Sequence, residues 1–158
     1  MVLHIKKLIF IAIFQIWFIS NNVRLIFLNG FYLGPVMFTC IVVDDDVNTT
    51  KVFSDILELM GLQVVGKGYS GSEAVCLYKQ YRPDVVFIDL TMPKTDGFYA
   101  IQKILEVNPA AKIVAVTANL TLETDRKLEK LKINAIIRKP FSTHEIKHVL
   151  EQYKINPK

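Results

Sequence analysis

Three acidic side chains stand together in this chain of 158 residues. Asp44, Asp45 and Asp46 follow directly after the apolar segment "FTCIVV". Like charges this close repel one another and cost stability unless solvent or a cation offsets them. Clustered carboxylates suit a hard cation such as Mg²⁺. The sequence therefore offers two interpretations of this stretch, a capped helix start or a metal site.

Further residues able to do chemistry follow apolar runs later in the chain. Asp89 comes after "VVFI", Thr117 after "IVAV", and Lys139 shortly after "AII". A carboxylate can attack phosphorus, a hydroxyl can donate to a phosphate oxygen, and an ammonium supplies a mobile positive charge. These types predict phosphoryl-transfer chemistry if the fold brings them together.

The elements that must position these residues alternate along the chain. Short β-branched apolar runs at 38–43, 63–66, 85–88, 113–116 and 135–137 predict strands. Between them lie segments with helical apolar spacing, whose apolar residues we expect to be buried: Val52, Ile56, Leu59, Met60, Ala74, Val75, Tyr78, Ile101, Ile104, Leu105, Leu122, Leu128, Leu131, Ile146, Val149 and Leu150. Five strands alternating with five helices predict an α/β fold with a parallel sheet covered on both faces.

An open parallel sheet binds ligands beyond the carboxyl ends of its strands. Asp44 and Asp45, Asp89, Thr117 and Lys139 all fall at that edge of the predicted sheet. We therefore expect them to converge. Asp46, at the start of the next helix, is expected to cap it.

Residues 37–153 resemble the receiver domain of two-component response regulators. The resemblance depends on the acidic pair after the first strand and "DLTMPKTDG" after the third. It depends equally on Thr-Ala after the fourth strand and Lys-Pro-Phe after the fifth. It implies a flavodoxin-like, doubly wound sheet of five parallel strands in the order 2-1-3-4-5, with helices on both faces.

The resemblance also implies roles for individual residues. Asp89 matches the phosphoacceptor, and Thr117 and Lys139 match the pair that senses the phosphoryl group. The expected ligands of Mg²⁺ are Asp44, Asp45, Asp89 and the backbone carbonyl of Thr91.

Two further features accompany the lysine. The resemblance implies a cis peptide bond between Lys139 and Pro140. Three residues before the lysine, where such domains often carry Tyr or Phe, this sequence has Ile136, which has no ring to move. The inward turn of an aromatic ring, which such domains usually use as a readout, is therefore not expected at this position.

The resulting hypothesis is a stand-alone phosphorylation switch. A sensor histidine kinase would supply the phosphoryl group, and the domain would catalyse its own transfer without turning over an independent substrate. A downstream protein would bind the face made by the domain's fourth helix, fifth strand and fifth helix. A docking module that is never phosphorylated is an alternative.

Two other uses of such a sheet fit the sequence less well. An aspartate-nucleophile phosphatase would want a second aspartate two residues after the nucleophile, where this chain has Thr91. A flavin-binding domain would want a Ser/Thr/Gly-rich phosphate loop after the first strand, and "DDDVN" would repel phosphate.

Residues 1–36 form an apolar leader, and 37–158 form the predicted receiver domain. The leader contains Lys6, Lys7 and Arg24 and no acid, whereas the rest of the chain has 16 basic and 15 acidic residues. The net charge of +4 therefore belongs largely to the leader and predicts no nucleic-acid partner. The leader fits a spurious upstream extension before Met37, a membrane-associating helix or a signal peptide. We expect a cytoplasmic protein, with membrane contact only through the leader.

The remaining candidates for metal or redox chemistry are weak. Cys40 and Cys76 lie in apolar contexts and are expected to be reduced packing residues. His144 and His148, one helical turn apart, have no acidic or cysteine partner in the pattern and are expected at the surface.

Overall fold

A computed structural model describes residues 24–28, 31–93, 96–133 and 135–155 of the chain. They separate into two compact units, with the boundary between Met37 and Phe38. In the first unit, β1 (Arg24–Leu28) pairs antiparallel with β2 (Phe31–Val36). The apolar run at 8–19, on which a membrane-associating helix was expected, lies outside the described residues. Within the described ranges, no helix has the length and apolar character needed to cross a membrane.

The second unit alternates strands with helices. Its strands are β3 (Thr39–Val43), β4 (Gln63–Gly68), β5 (Val85–Ile88), β6 (Ile113–Thr117) and β7 (Ala135–Arg138). Its helices are α1 (Val47–Leu59), α2 (Gly71–Tyr81), α3 (Gly97–Val107), α4 (Leu122–Lys130) and α5 (Thr143–Gln152). The strands are parallel in the order β4-β3-β5-β6-β7. Counted within this unit, the order is 2-1-3-4-5, and the predicted flavodoxin-like topology is confirmed.

Each helix begins at a side chain that accepts a hydrogen bond from the first turn. The caps are Asp46, Ser70, Asp96, Thr121 and Ser142. Such caps satisfy backbone N–H groups that have no partner within the helix. The carboxylate of Asp46 accepts from the amides of Asn48 and Thr49, so the predicted capping role of Asp46 is confirmed.

The core has two layers because neighbouring strand residues point to opposite faces of the sheet. The α1–α5 layer contains Val42 and Phe87 from the strands, packed against Leu57 and Ile146. The α2–α4 layer contains Ile41 and Ile88, together with Tyr78, Ala100 and Leu128 from the three helices. The apolar stretches of the strands are thus covered from both sides, and the polar residues Asp44, Asp89 and Thr117 lie at the carboxyl edge.

Several residues of the predicted stripes are not buried. Leu59 is 88% exposed and Leu122 is 78% exposed, and Val52 is also exposed. These side chains lie at helix ends or on flanks that face away from the sheet, so the helical stripe is wider than the surface the sheet covers. Cys76 is exposed on α2, and its prediction as a packing residue is wrong, whereas Cys40 is fully buried.

Candidate functional site

The carboxyl end of β3 fixes two aspartates in different environments. Asp44 is buried, with its amide donating to the Gly68 carbonyl at 3.1 Å and its carbonyl accepting from the Thr50 hydroxyl at 3.0 Å. One carboxylate oxygen of Asp44 also accepts from the amide of Asp46 at 3.0 Å. Asp45, the next residue, is exposed. One carboxylate is therefore held rigidly and the other can reach solvent.

The neighbouring strand delivers Asp89 to the same edge. Its amide donates to the Val43 carbonyl at 2.8 Å, which ties the end of β5 to the end of β3. Its Oδ1 atom accepts from the Thr91 amide at 3.2 Å. Asp89 is only 6% exposed, so its carboxylate is shielded from solvent on most sides.

Lys139 joins the two buried carboxylates. Its Nζ atom lies 2.6 Å from Oδ2 of Asp44 and 2.9 Å from Oδ2 of Asp89. Its backbone amide donates to the Thr117 carbonyl at 3.0 Å. The lysine is therefore fixed to β6 by its backbone while its ammonium bridges the ends of β3 and β5.

The charges at this edge do not balance. Burial raises the pKa of Asp89 above its ordinary value, and the hydrogen bonds from Lys139 and Thr91 offset only part of that effect. Burial lowers the pKa of Lys139, but its bonds to Asp44 and Asp89 outweigh burial and leave this pKa above its ordinary value. One ammonium held by two carboxylates leaves a net negative charge, and Asp45 adds another.

Asp44, Asp45 and Asp89 are close enough to hold one ion. Each offers a carboxylate oxygen, and the three oxygens lie within 4.8 Å of one another. A set made only of oxygen donors fits Mg²⁺, which binds through a few carboxylates and keeps several waters. The donor set of this edge therefore fits the expected metal.

The other two expected site residues are placed nearby with fewer contacts. Thr117 is the last residue of β6 and is fully buried, and its hydroxyl accepts from the Asn119 amide at 3.3 Å. Thr91 is exposed, and its amide bond to Asp89 holds its backbone beside the carboxylate. Both lie at the predicted edge.

Two supporting residues were not predicted. Thr50 is buried one turn into α1 and fixes the Asp44 carbonyl. Gly97 begins α3 and packs against the backbone of Asp89 and Leu90. The Asp-Gly pair before a helical stripe is a signal for a tight approach of this kind, but it does not identify the segment approached.

Comparison with known proteins decides the family. The model of the response regulator receiver domain matches residues 40–151, which include every residue of the site described above. The chain belongs to the response regulator receiver family.

Relatives of this receiver domain differ in length. It is 33% identical over 114 residues to the chemotaxis protein CheY of Thermotoga maritima, covering 71% of this chain and 93% of that protein. It is 34% identical over 117 residues to the probable C4-dicarboxylate response regulator DctR of Priestia megaterium, covering 73% of this chain. The chain spans about half the length of DctR, at 51%.

Solved structures agree with the fold of this receiver domain. The CheX-CheY-BeF3-Mg complex of Borrelia burgdorferi contains a chain that superposes with a TM-score of 0.69 at 26% identity, covering 73% of this chain and 87% of that one. CheY4 of Vibrio cholerae superposes with a TM-score of 0.70, covering 75% of this chain and 99% of that one, and at 22% identity it shows the fold alone.

Two expectations near the lysine of this receiver domain also have outcomes. The peptide bond between Lys139 and Pro140 is cis, as expected. Ile136 is half-buried and packs against the α2–α4 layer. It occupies the place of the missing aromatic residue as an ordinary packing residue.

Proposed function

We propose that this receiver domain is a switch in which Asp89 accepts a phosphoryl group. The observation that carries the proposal is the Lys139 ammonium, bonded to Asp44 and Asp89 at an edge that gathers three carboxylates. A structural ion pair would not need the third, exposed carboxylate beside it. A buried carboxylate flanked by a cation and further acids is suited to react with an electrophilic phosphorus.

Asp44, Asp45, Asp89 and the Thr91 carbonyl would hold Mg²⁺ at this edge. The bound ion would supply positive charge that offsets the charge on the transferring phosphoryl oxygens. The protein's own contribution is to orient the Asp89 carboxylate through the Thr91 amide and to present the ammonium of Lys139. Thr117 would donate its hydroxyl to a phosphoryl oxygen.

The transfer itself is a single displacement at phosphorus. An Asp89 oxygen forms a bond to phosphorus while the bond from phosphorus to the donor atom breaks. That donor atom is a histidine nitrogen of a kinase or an oxygen of an acyl phosphate, and it leaves with the electron pair. Once the Asp89 carboxylate is ionised, no residue need act as a general base, because the attacking oxygen then has no proton to lose.

The proposed switch also has partners and a domain boundary. A sensor histidine kinase would supply the phosphoryl group, and a downstream protein would bind the surface made by α4, β7 and α5. Residues 37–158 would form the receiver domain, with residues 1–36 as a separate leader. The domain would turn over no independent substrate, because Thr91 stands where a phosphatase of the aspartate-nucleophile type would want a second acid.

A small acyl phosphate tests the proposal directly. The full chain is incubated with acetyl phosphate and Mg²⁺, and the acid-labile phosphoryl adduct is measured by intact mass and located by peptide mapping. We expect an adduct on Asp89 that Asp89→Asn abolishes and that chelation of Mg²⁺ suppresses. Asp84→Asn, an aspartate at the opposite edge of the sheet, is the matched control and should retain the adduct. Absence of an adduct on the wild type, or an equal yield in Asp89→Asn, would exclude the switch.

A further inference from the structure

The aromatic ring nearest to Lys139 along the chain belongs to Phe141, which lies on the opposite face of the sheet from Ile136. Phe141 packs against the α1–α5 layer, whereas Ile136 packs against the α2–α4 layer. The Phe141 ring meets that of Phe53 in α1 edge to face, with centroids 4.6 Å apart. Phe53 in turn meets Phe87 in β5 at 5.3 Å. Three rings therefore connect the segment after Lys139 with α1 and with the strand that carries Asp89.

Space exists around this ring. A cavity of about 10 Å³ lies between the ring cluster and the site, and Asp44, Phe53 and Phe141 are among its lining residues. Phe141 also lines a surface hollow of about 360 Å³, together with Val52 and Pro140. The cavity is no larger than about one water probe, so the open hollow is what gives the Phe141 ring room to change position at lower cost than its close-packed neighbours.

Lys139 links the ring to the chemistry. Its ammonium holds Asp89 at 2.9 Å, and a phosphoryl group on Asp89 would present new oxygen acceptors to that ammonium. The backbone amide of Lys139 is bonded to the Thr117 carbonyl, so the backbone of this residue is held against β6. When the ammonium changes its hydrogen-bond partner, the movement therefore falls on the lysine side chain and on the residues that follow. The second of these is Phe141.

We propose that Phe141 is a positioning residue that couples the phosphorylation state of Asp89 to α1 through its contact with Phe53. The proposal rests on the proposed function, because it needs Asp89 to accept a phosphoryl group. Phe141 carries a ring where Ile136 has none, and the two side chains pack on opposite faces of the sheet. Part of the response in this chain therefore reaches α1.

Hydrogen exchange measured by mass spectrometry tests the coupling on the full chain. Exchange of the α1 amides is compared before and after treatment with acetyl phosphate and Mg²⁺, and the adduct is quantified in the same samples. In the wild type we expect the α1 exchange rate to change by about threefold or more on phosphorylation. Phe141→Leu keeps an apolar side chain without the ring, so it should form the adduct in comparable yield and lose the α1 response.

Phe38→Leu is the matched control. Phe38 packs against the same layer, and its carbonyl accepts from Gln63 at the start of β4, at the edge of the sheet opposite the site. This variant should keep both the adduct and the α1 response. If Phe141→Leu does not fold, Phe141→Met, which fills more of the site of the ring, serves the same comparison.

The outcomes are distinct. An α1 response in Phe141→Leu equal to that of the wild type overturns the coupling. So does a wild type that forms the adduct without any change in α1 exchange. A wild type that forms no adduct fails at the proposed function itself, and the coupling falls with it.

Discussion

Gly97, in the first turn of α3, packs so closely against Asp89 that no side chain fits between them. A Cβ atom at Gly97 would overlap the Asp89 carbonyl oxygen and would lie 2.8 Å from the Cα atom of Leu90. The Gly97 amide donates to the Leu90 carbonyl at 3.2 Å. The start of α3 therefore serves as a support for the backbone that carries the reactive carboxylate.

Replacing Gly97 by Ala should disturb both the fold and the site. Because the overlapping atoms belong to the backbone, either α3 or the segment after β5 must move, and we expect a loss of about 2 kcal/mol in the free energy of unfolding. Phosphorylation of Asp89 should also slow. Urea denaturation and the rate of adduct formation measure the two effects.

Gly66→Ala is the control for this substitution. A Cβ atom there would lie 3.0 Å from a terminal methyl of Leu77, which can shift because it ends a flexible side chain. Its effect on phosphorylation should be small. Wild-type stability and phosphorylation in Gly97→Ala would show that this close approach does not support the site.

Asp45→Asn should weaken Mg²⁺ binding without unfolding the protein. Asp45 is exposed and would act mainly as a metal ligand, so its neutralisation removes charge from the site and leaves the core intact. We expect a loss of about tenfold or more in Mg²⁺ affinity, measured by isothermal titration calorimetry. Asp55→Asn changes an exposed acid on α1 outside the acidic cluster and should bind Mg²⁺ like the wild type. Unchanged affinity in Asp45→Asn would remove this residue from the metal site.

Asp89→Asn should be more stable than the wild type near neutral pH in metal-free buffer. Burial is the main cause that raises the pKa of Asp89, so the folded state favours the protonated form of Asp89 more than the unfolded state does. The stability from this group is present below the ordinary aspartate pKa of about 4 and is lost as pH rises through the higher folded pKa. Asn resembles the protonated form and keeps this stability at neutral pH. The free energy of unfolding of Asp89→Asn should therefore exceed that of the wild type by about 1 kcal/mol near neutral pH.

The pH dependence separates this effect from a general stabilisation. Urea denaturation near neutral pH and near pH 4 should show the advantage of Asp89→Asn shrinking as the solution becomes acidic. Asp55→Asn, at an exposed position, provides the baseline for changing Asp to Asn. An advantage that is constant with pH, or that grows towards acid, would contradict the role of burial.

The two cysteines should react very differently with a thiol reagent. Cys40 lies in β3 and is fully buried, and burial raises its pKa to about 12, so almost no thiolate is present at neutral pH. Cys76 is exposed on α2. We expect one thiol to react with Ellman's reagent in the native protein and two after denaturation. Cys76→Ser should remove the native reaction, and native labelling of Cys40 would contradict its burial.

Much of this protein follows from local sequence pattern. Five β-branched runs alternating with helical stripes predict a parallel sheet, because two-sided burial requires apolar strands without polar alternation. The carboxyl ends of such strands share one edge, so the positions of Asp44, Asp89 and Lys139 in the sequence place them together. The capping role of Asp46 could be predicted because capping depends on residues within one turn.

The tertiary structure alone decided which side chains at that edge meet and which apolar residues are covered. The Lys139 ammonium contacts carboxylates 50 and 95 residues away in the chain, and a local pattern sets neither distance. Helical spacing marks an apolar flank but not the width of the sheet that covers it, so Leu122 was wrongly predicted as buried. The contact of Gly97 with Asp89 and the opposite faces of Ile136 and Phe141 likewise depend on how the layers pack. Periodicity fixes the direction of a side chain within its own element, whereas its partners come from elements that are distant in the sequence.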